Sequence, residues 1–149
     1  MDELERLAIE RSCERLVVAY SHLIDFGEAS RVAELFTDDG VWESAEATMQ
    51  GRAGIAEGFG RRQANTGRRS RHVCTNLAVD VVSATEATGL CYFTLYRADN
   101  VSGPTATLEG PEIVGEYRDR FVLTDDGWRI VHRQASAGFV RRPAPPPNG

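Results

Sequence analysis

The chain has 149 residues, 42% of them hydrophobic and 26% charged, with a formal net charge of −5. That balance suits one soluble globular domain with a sizeable core and excludes a disordered chain. The acidic charge argues against nucleic acid or an anionic membrane as partner, and because all 17 basic residues are arginine, Schiff-base and lysine-nucleophile chemistry is excluded.

The first predicted element is a helix over 3–25, irregular at its start. Leu16, Val17, Tyr20, Leu23 and Ile24 recur at helical spacing as an apolar stripe, and Gly27 is placed for a left-handed cap. Asp25 is out of place in the last turn: a carboxylate facing the negative end of the helix dipole costs a few tenths to ~1 kcal/mol. A short second helix is expected over 29–36, stopped by Asp38, Asp39 and Gly40, followed by a strand over 40–46 and a third helix over 52–64. GRRSR, 67–71, reads as a basic, solvated loop.

From there the period changes to two. HVCTNLAVDVVS, EATGLCYFTLYRAD, PEIVGEYRDRFVLT and GWRIVHRQASAGFV are four long strand candidates. TDDG, 124–127, is the hairpin turn between the last two. Residues 101–111 read as a longer, flexible crossover or lid, and the Pro-rich tail 141–149 as extended and disordered. Helices first and long strands afterwards is the α+β pattern. Gly89 and Gly115 would let the sheet bulge or bend, giving a curled sheet closed by helices around a cavity, where ligand sites usually lie.

Cys13, Cys74 and Cys91 are widely spaced, contain no CxxC, and form no zinc pattern with the three histidines. They read as buried hydrophobes in a reducing compartment. The N-terminus is acidic and helical, without a signal-peptide pattern, and no apolar run approaches ~20 residues. The expected location is the cytoplasm, with no metal and no organic cofactor, since a Gly-rich phosphate loop after a strand is also missing.

The order of elements, together with Y-x4-D ending the first helix, AELFTDDGVWE, RHVCTN and YRDRFVLTDDGWRIVHR, resembles the SnoaL-like branch of the nuclear-transport-factor-2-like superfamily over roughly residues 5–140. That superfamily includes scytalone dehydratase, bile acid 7α-dehydratase and hexachlorocyclohexane dehydrochlorinase. The resemblance implies a cone-shaped α+β barrel, a strongly curved and mostly antiparallel sheet closed by three helices, over residues 1–140.

It also implies a His–Asp dyad, because Asp25 and His72 occupy the two positions where one subgroup carries those residues. His72 would be the general base and Asp25 its orienting carboxylate. A charge-assisted hydrogen bond contributes about 1.5–3 kcal/mol, more than the dipole costs. Tyr20 matches a tyrosine that assists a departing hydroxyl in the bile acid dehydratase. The dehydrochlorinase has a lysine there, so its cation for a leaving halide is missing. Arg133 matches a pocket arginine, yet alternation puts Arg129, Val131 and Arg133 on one face and Trp128, Ile130 and His132 on the other. Either Arg133 faces solvent or a bulge turns it inward, so both Arg133 and His132 are pocket candidates.

Leu95 stands where the bile acid dehydratase has an Asp, which suggests an apolar wall of Cys91, Phe93 and Leu95, with Trp42 and Tyr92 adding aromatic surface. The expected function is a cofactor-independent lyase or isomerase, above all a dehydratase, on a hydrophobic small molecule. The rival is a non-catalytic binding or assembly subunit of the same fold. Val114, Val122 and Val131, interleaved with arginine on an exposed sheet face, predict a homo-oligomer, and the resemblance implies a trimer before a dimer.

Overall fold

The protein is described by a computed structural model covering residues 1–143; the expected tail from residue 144 onward lies outside the described residues. Helix α1 spans Glu3–Asp25 without a break. The irregular start expected from sequence is absent because Asp2 and Glu5 form a capping box: each side chain accepts from the other's backbone N–H, at 2.8 and 2.9 Å. At the other end Gly27 takes φ 86°, and Glu28 N–H bonds the Leu23 carbonyl at 2.8 Å, the Schellman closure that a glycine there permits.

The expected short second helix is present as a 3-10 helix over Ala29–Leu35. Strand β1, Phe36–Glu43, then begins earlier than predicted and runs through the Asp38-Asp39-Gly40 segment read as a stop. A three-residue strand, β2 (Thr48–Gln50), leads into helix α2, Gly51–Ala64. Four long strands follow: β3 Arg69–Val81, β4 Glu86–Ala98, β5 Ile113–Thr124 and β6 Gly127–Val140. Three of the five residues of the expected basic loop, 69–71, are therefore strand.

The six strands lie in the order β2-β1-β6-β5-β4-β3. All pairs are antiparallel except β1 with β6. No ladder joins β2 to β3, so the sheet is curved but open, with the helices over one face. Alternation buries Ala87, Cys91, Phe93 and Leu95 of β4 and Tyr117, Asp119 and Phe121 of β5 against Ile9, Cys13, Val17, Tyr20 and Ile24 of α1.

Two register shifts in the β5·β6 ladder place one extra residue of β6 at Val131 and another at Gly138. The glycines expected to bend the sheet act differently. A Cβ on Gly89 would come within 2.8 Å of the Phe121 ring, and one on Gly115 would run into the Ser136 carbonyl, so both are required by close packing. A third bulge, in β3 between Thr75 and Ala78, contains Asn76 at φ 51°, a conformation asparagine tolerates better than most residues.

The connection from β4 to β5 is tied down. Arg69 donates to the carbonyls of Gly103 and Pro104 at 2.7 and 3.0 Å, and Val101 N–H bonds the Gly67 carbonyl at 2.9 Å. None of its residues lines the cavity. The segment expected as a flexible crossover or lid is an anchored connection between two adjacent strands.

Candidate active site

The helices and the concave sheet face enclose a cavity of about 720 Å3, open to solvent, whose walls include Tyr20, Trp42, Phe59, His72, Phe93 and Leu95. Asp25, in the last turn of α1, reaches across to the start of β3. Its Oδ1 lies 2.7 Å from His72 Nδ1 and accepts from Ser70 Oγ at 2.7 Å, while Oδ2 accepts the backbone N–H of His72 at 2.7 Å. The side chains of Asp25 and His72 are 4% and 11% exposed. Burial pushes the Asp25 pKa up, but hydrogen bonds and charge from His72, its amide and Ser70 together outweigh it and hold the carboxyl below its ordinary value.

That geometry sets the tautomer. With the carboxylate on Nδ1, the neutral imidazole carries its proton there and leaves Nε2 as a lone-pair acceptor. His72 lines the cavity, and among the described residues no hydrogen-bond partner occupies Nε2.

Tyr20, five residues before Asp25 and fully buried, stands edge-on to the His72 ring at 6.3 Å between centroids. Its hydroxyl accepts from Trp42 Nε1 at 3.0 Å, which leaves its own O–H free to donate. Burial raises the Tyr20 pKa, against opposing effects of Arg133 and of hydrogen bonds from Trp42 and Tyr117, so the phenol stays protonated near neutrality. Trp42, expected as pocket or core surface, thus lines the cavity and orients Tyr20.

Arg133 is turned inward by the bulge at Val131, but it does not line the cavity. It is buried behind the wall, its guanidinium 4.3 Å from the Tyr20 ring and 4.2 Å from the Tyr117 ring. Nε and Nη2 donate to the two oxygens of Asp119 at 2.8 and 2.7 Å. Burial lowers the Arg133 pKa, but Asp119 more than restores it. Two other expectations are corrected. His132 points away and bonds Glu43 Oε1 at 3.0 Å, and Cys91 is fully buried beneath the wall. Phe93 and Leu95 line it as expected, whereas Tyr92 is on the exposed outer face.

Sequence reading missed Ser70, Arg62 and Tyr117. Ser70 lies two residues from His72 and shares its strand face, a signal hidden by assigning 67–71 to a loop. Tyr117 follows from the inward parity of β5 with Asp119 and Phe121. Arg62 sits in the last turn of α2 and has no local signal. Among the described residues no three His, Cys, Asp or Glu side chains are placed to hold a metal ion.

The family model of the SnoaL-like domain matches residues 5–134. The chain belongs to the SnoaL-like family. Other proteins of this cystatin-like fold agree with the SnoaL-like chain over nearly its whole length. A nuclear-transport-factor-2-like protein with a cystatin-like fold from Novosphingobium aromaticivorans is 29% identical, with a TM-score of 0.73 over 89% of this chain and 84% of its own. A protein of unknown function from Mycobacterium tuberculosis is 26% identical, with a TM-score of 0.74 over 94% and 78%. A hexachlorocyclohexane dehydrochlorinase shares the fold at 20% identity, with a TM-score of 0.78 over 99% and 100%. No curated protein matches the sequence.

Proposed function

We propose that this SnoaL-like protein is a cofactor-independent lyase that eliminates water from a hydrophobic small molecule, with His72 as general base. The observation that carries this reading is the 2.7 Å contact between Asp25 Oδ1 and His72 Nδ1 at the wall of an open cavity. A non-catalytic subunit of the same fold has no need to hold a histidine tautomer with its acceptor nitrogen toward an open space.

His72 Nε2 takes a proton from carbon beside an activating group. The C–H electron pair becomes the new double bond, and the hydroxyl leaves with its bonding pair. Tyr20 donates a hydrogen bond to the departing oxygen. The proton on His72 ends on that oxygen, which departs as water and restores the neutral imidazole. Asp25 stabilises the imidazolium between these steps.

General base catalysis is worth typically 10²–10⁴-fold in rate. His72→Ala should therefore lose about that factor while keeping its circular-dichroism spectrum. Residues acting as a unit lose activity non-additively, so Asp25→Asn combined with His72→Ala should be scarcely slower than His72→Ala alone. Multiplicative losses, or near-full activity of His72→Ala, would remove the dyad from the reaction. Tyr20→Phe should slow departure of a hydroxyl more than that of a better leaving group.

A further inference from the structure

Three arginines, Arg62, Arg68 and Arg97, line the cavity on the side of α2, β3 and β4. Two are neutralised: Arg68 by Asp99, through bonds of 2.6 and 3.1 Å, and Arg97 by Glu112 at 3.2 Å. Arg62 meets only uncharged acceptors among the described residues, the Ser70 hydroxyl at 3.0 Å and the carbonyls of Arg68 and Asn65 at 3.4 and 3.5 Å. Guanidinium has five N–H donors, so part of Arg62 is unspent. Burial and the neighbouring charges of Arg68 and Arg97 act against its cationic form and outweigh the support of Asp25 and Asp99. The carboxylates of the cavity, Glu43 and Glu46, belong to β1 and the turn after it, and Glu43 is bonded to His132. Arg62 is thus the one of the three arginines with no direct carboxylate partner among the described residues, beside an otherwise largely apolar cavity.

We propose that Arg62 binds the single carboxylate of an amphipathic acid, whose hydrophobic body fills the cavity against Phe59, Phe93 and Leu95. The assignment rests on the reading of this cavity as a substrate site and names the class of substrate. The unspent donors of Arg62 face the cavity wall without a carboxylate partner, and a planar guanidinium suits a carboxylate. The placement also orients the molecule. Arg62 touches Ser70, and Ser70 touches Asp25 at 2.7 Å, so the acid end lies one serine hydroxyl from the dyad. The reacting carbon, a short distance along the same molecule, then faces His72.

The test uses 2-naphthoate and 2-naphthamide, which share a shape and differ in charge, read by displacement of N-phenyl-1-naphthylamine from the intact protein. The acid should bind about tenfold or more tighter than the amide, as a charge-assisted bond implies. Arg62→Gln, which keeps a donor for Ser70, should abolish that preference, read as acid against amide in the same variant. His72→Asn should retain the preference, because the anion is held by Arg62 and not by an imidazolium. Without any substitution, raising sodium chloride from ~50 to ~500 mM should weaken the acid and not the amide. Equal affinities of acid and amide, or a preference that survives Arg62→Gln or vanishes in His72→Asn, overturn the inference and leave the dyad reading standing. Failure of dye and both probes to bind at all removes the cavity as a small-molecule site, and this inference with it.

Discussion

Asp25 uses both carboxylate oxygens on β3, one shared by the His72 ring and Ser70 and the other on the His72 amide. That answers why an acid tolerates the negative end of α1: three donors outweigh a dipole cost of at most ~1 kcal/mol. The same contacts give stability a pH dependence. Because the folded carboxyl titrates below its unfolded value, its contribution is complete above the ordinary carboxylate range. It is lost as pH falls from about 4 through the lower folded value. Asp25→Asn should therefore be less stable than the parent at pH 7, and the gap should close progressively below pH 4 in urea titrations. A gap that widens with acid would mean that the carboxylate is not held by these donors.

At the scale of elements, β6 shows both what the sequence displays and what it conceals. Its boundaries, 127–140, follow from alternation and a tight turn, and the structure has them. Its facing does not follow, because a bulge leaves no signature in a list of apolar and polar positions. Before Val131 the inward residue is Ile130; after it they are Arg133 and Ala135, paired with Asp119 and Tyr117; after Gly138 it is Val140, paired with Ile113. The first helix, the four long strands and the Asp25–His72 pairing were legible because they rest on period and local chemistry or on family resemblance. The three-residue β2 is too short to show a period, and the Arg133–Asp119 pair depends on register. That pair is 0% and 1% exposed. Breaking it with Asp119→Ala should cost about 3–5 kcal/mol, since it strands a buried cation. The double replacement Asp119→Leu with Arg133→Met should cost less than Asp119→Ala alone. Chemical denaturation midpoints of the three proteins decide it.

For the whole molecule, the outer sheet face sets the expected assembly. Val114, Val122 and Val131, the residues predicted to be exposed, are only half-buried. The exposed apolar side chains there are Val73, Tyr92 and Phe139. Val73, Thr94, Val114 and Phe139 lie opposite one another across β3, β4, β5 and β6, a row with three apolar side chains and one threonine, of the kind that mates with a copy of itself. Light scattering at micromolar concentration should give a homo-oligomer, a trimer before a dimer, and Phe139→Asp should shift it toward monomer. A monomeric parent protein would leave the row unexplained. Edge-to-edge association follows a different rule. Strand β3 is an edge strand of the open sheet, and its His72 amide bonds the Asp25 carboxylate at the end of α1 and not another strand. A strand edge with unpaired amides can recruit a strand from another chain, and a charge seated on it is a common obstacle to such templated growth. The acid that orients the histidine therefore also guards the edge. Asp25→Ala, which leaves the amide bare, should form thioflavin-positive aggregates on prolonged warming sooner than His72→Ala, which leaves the guard in place.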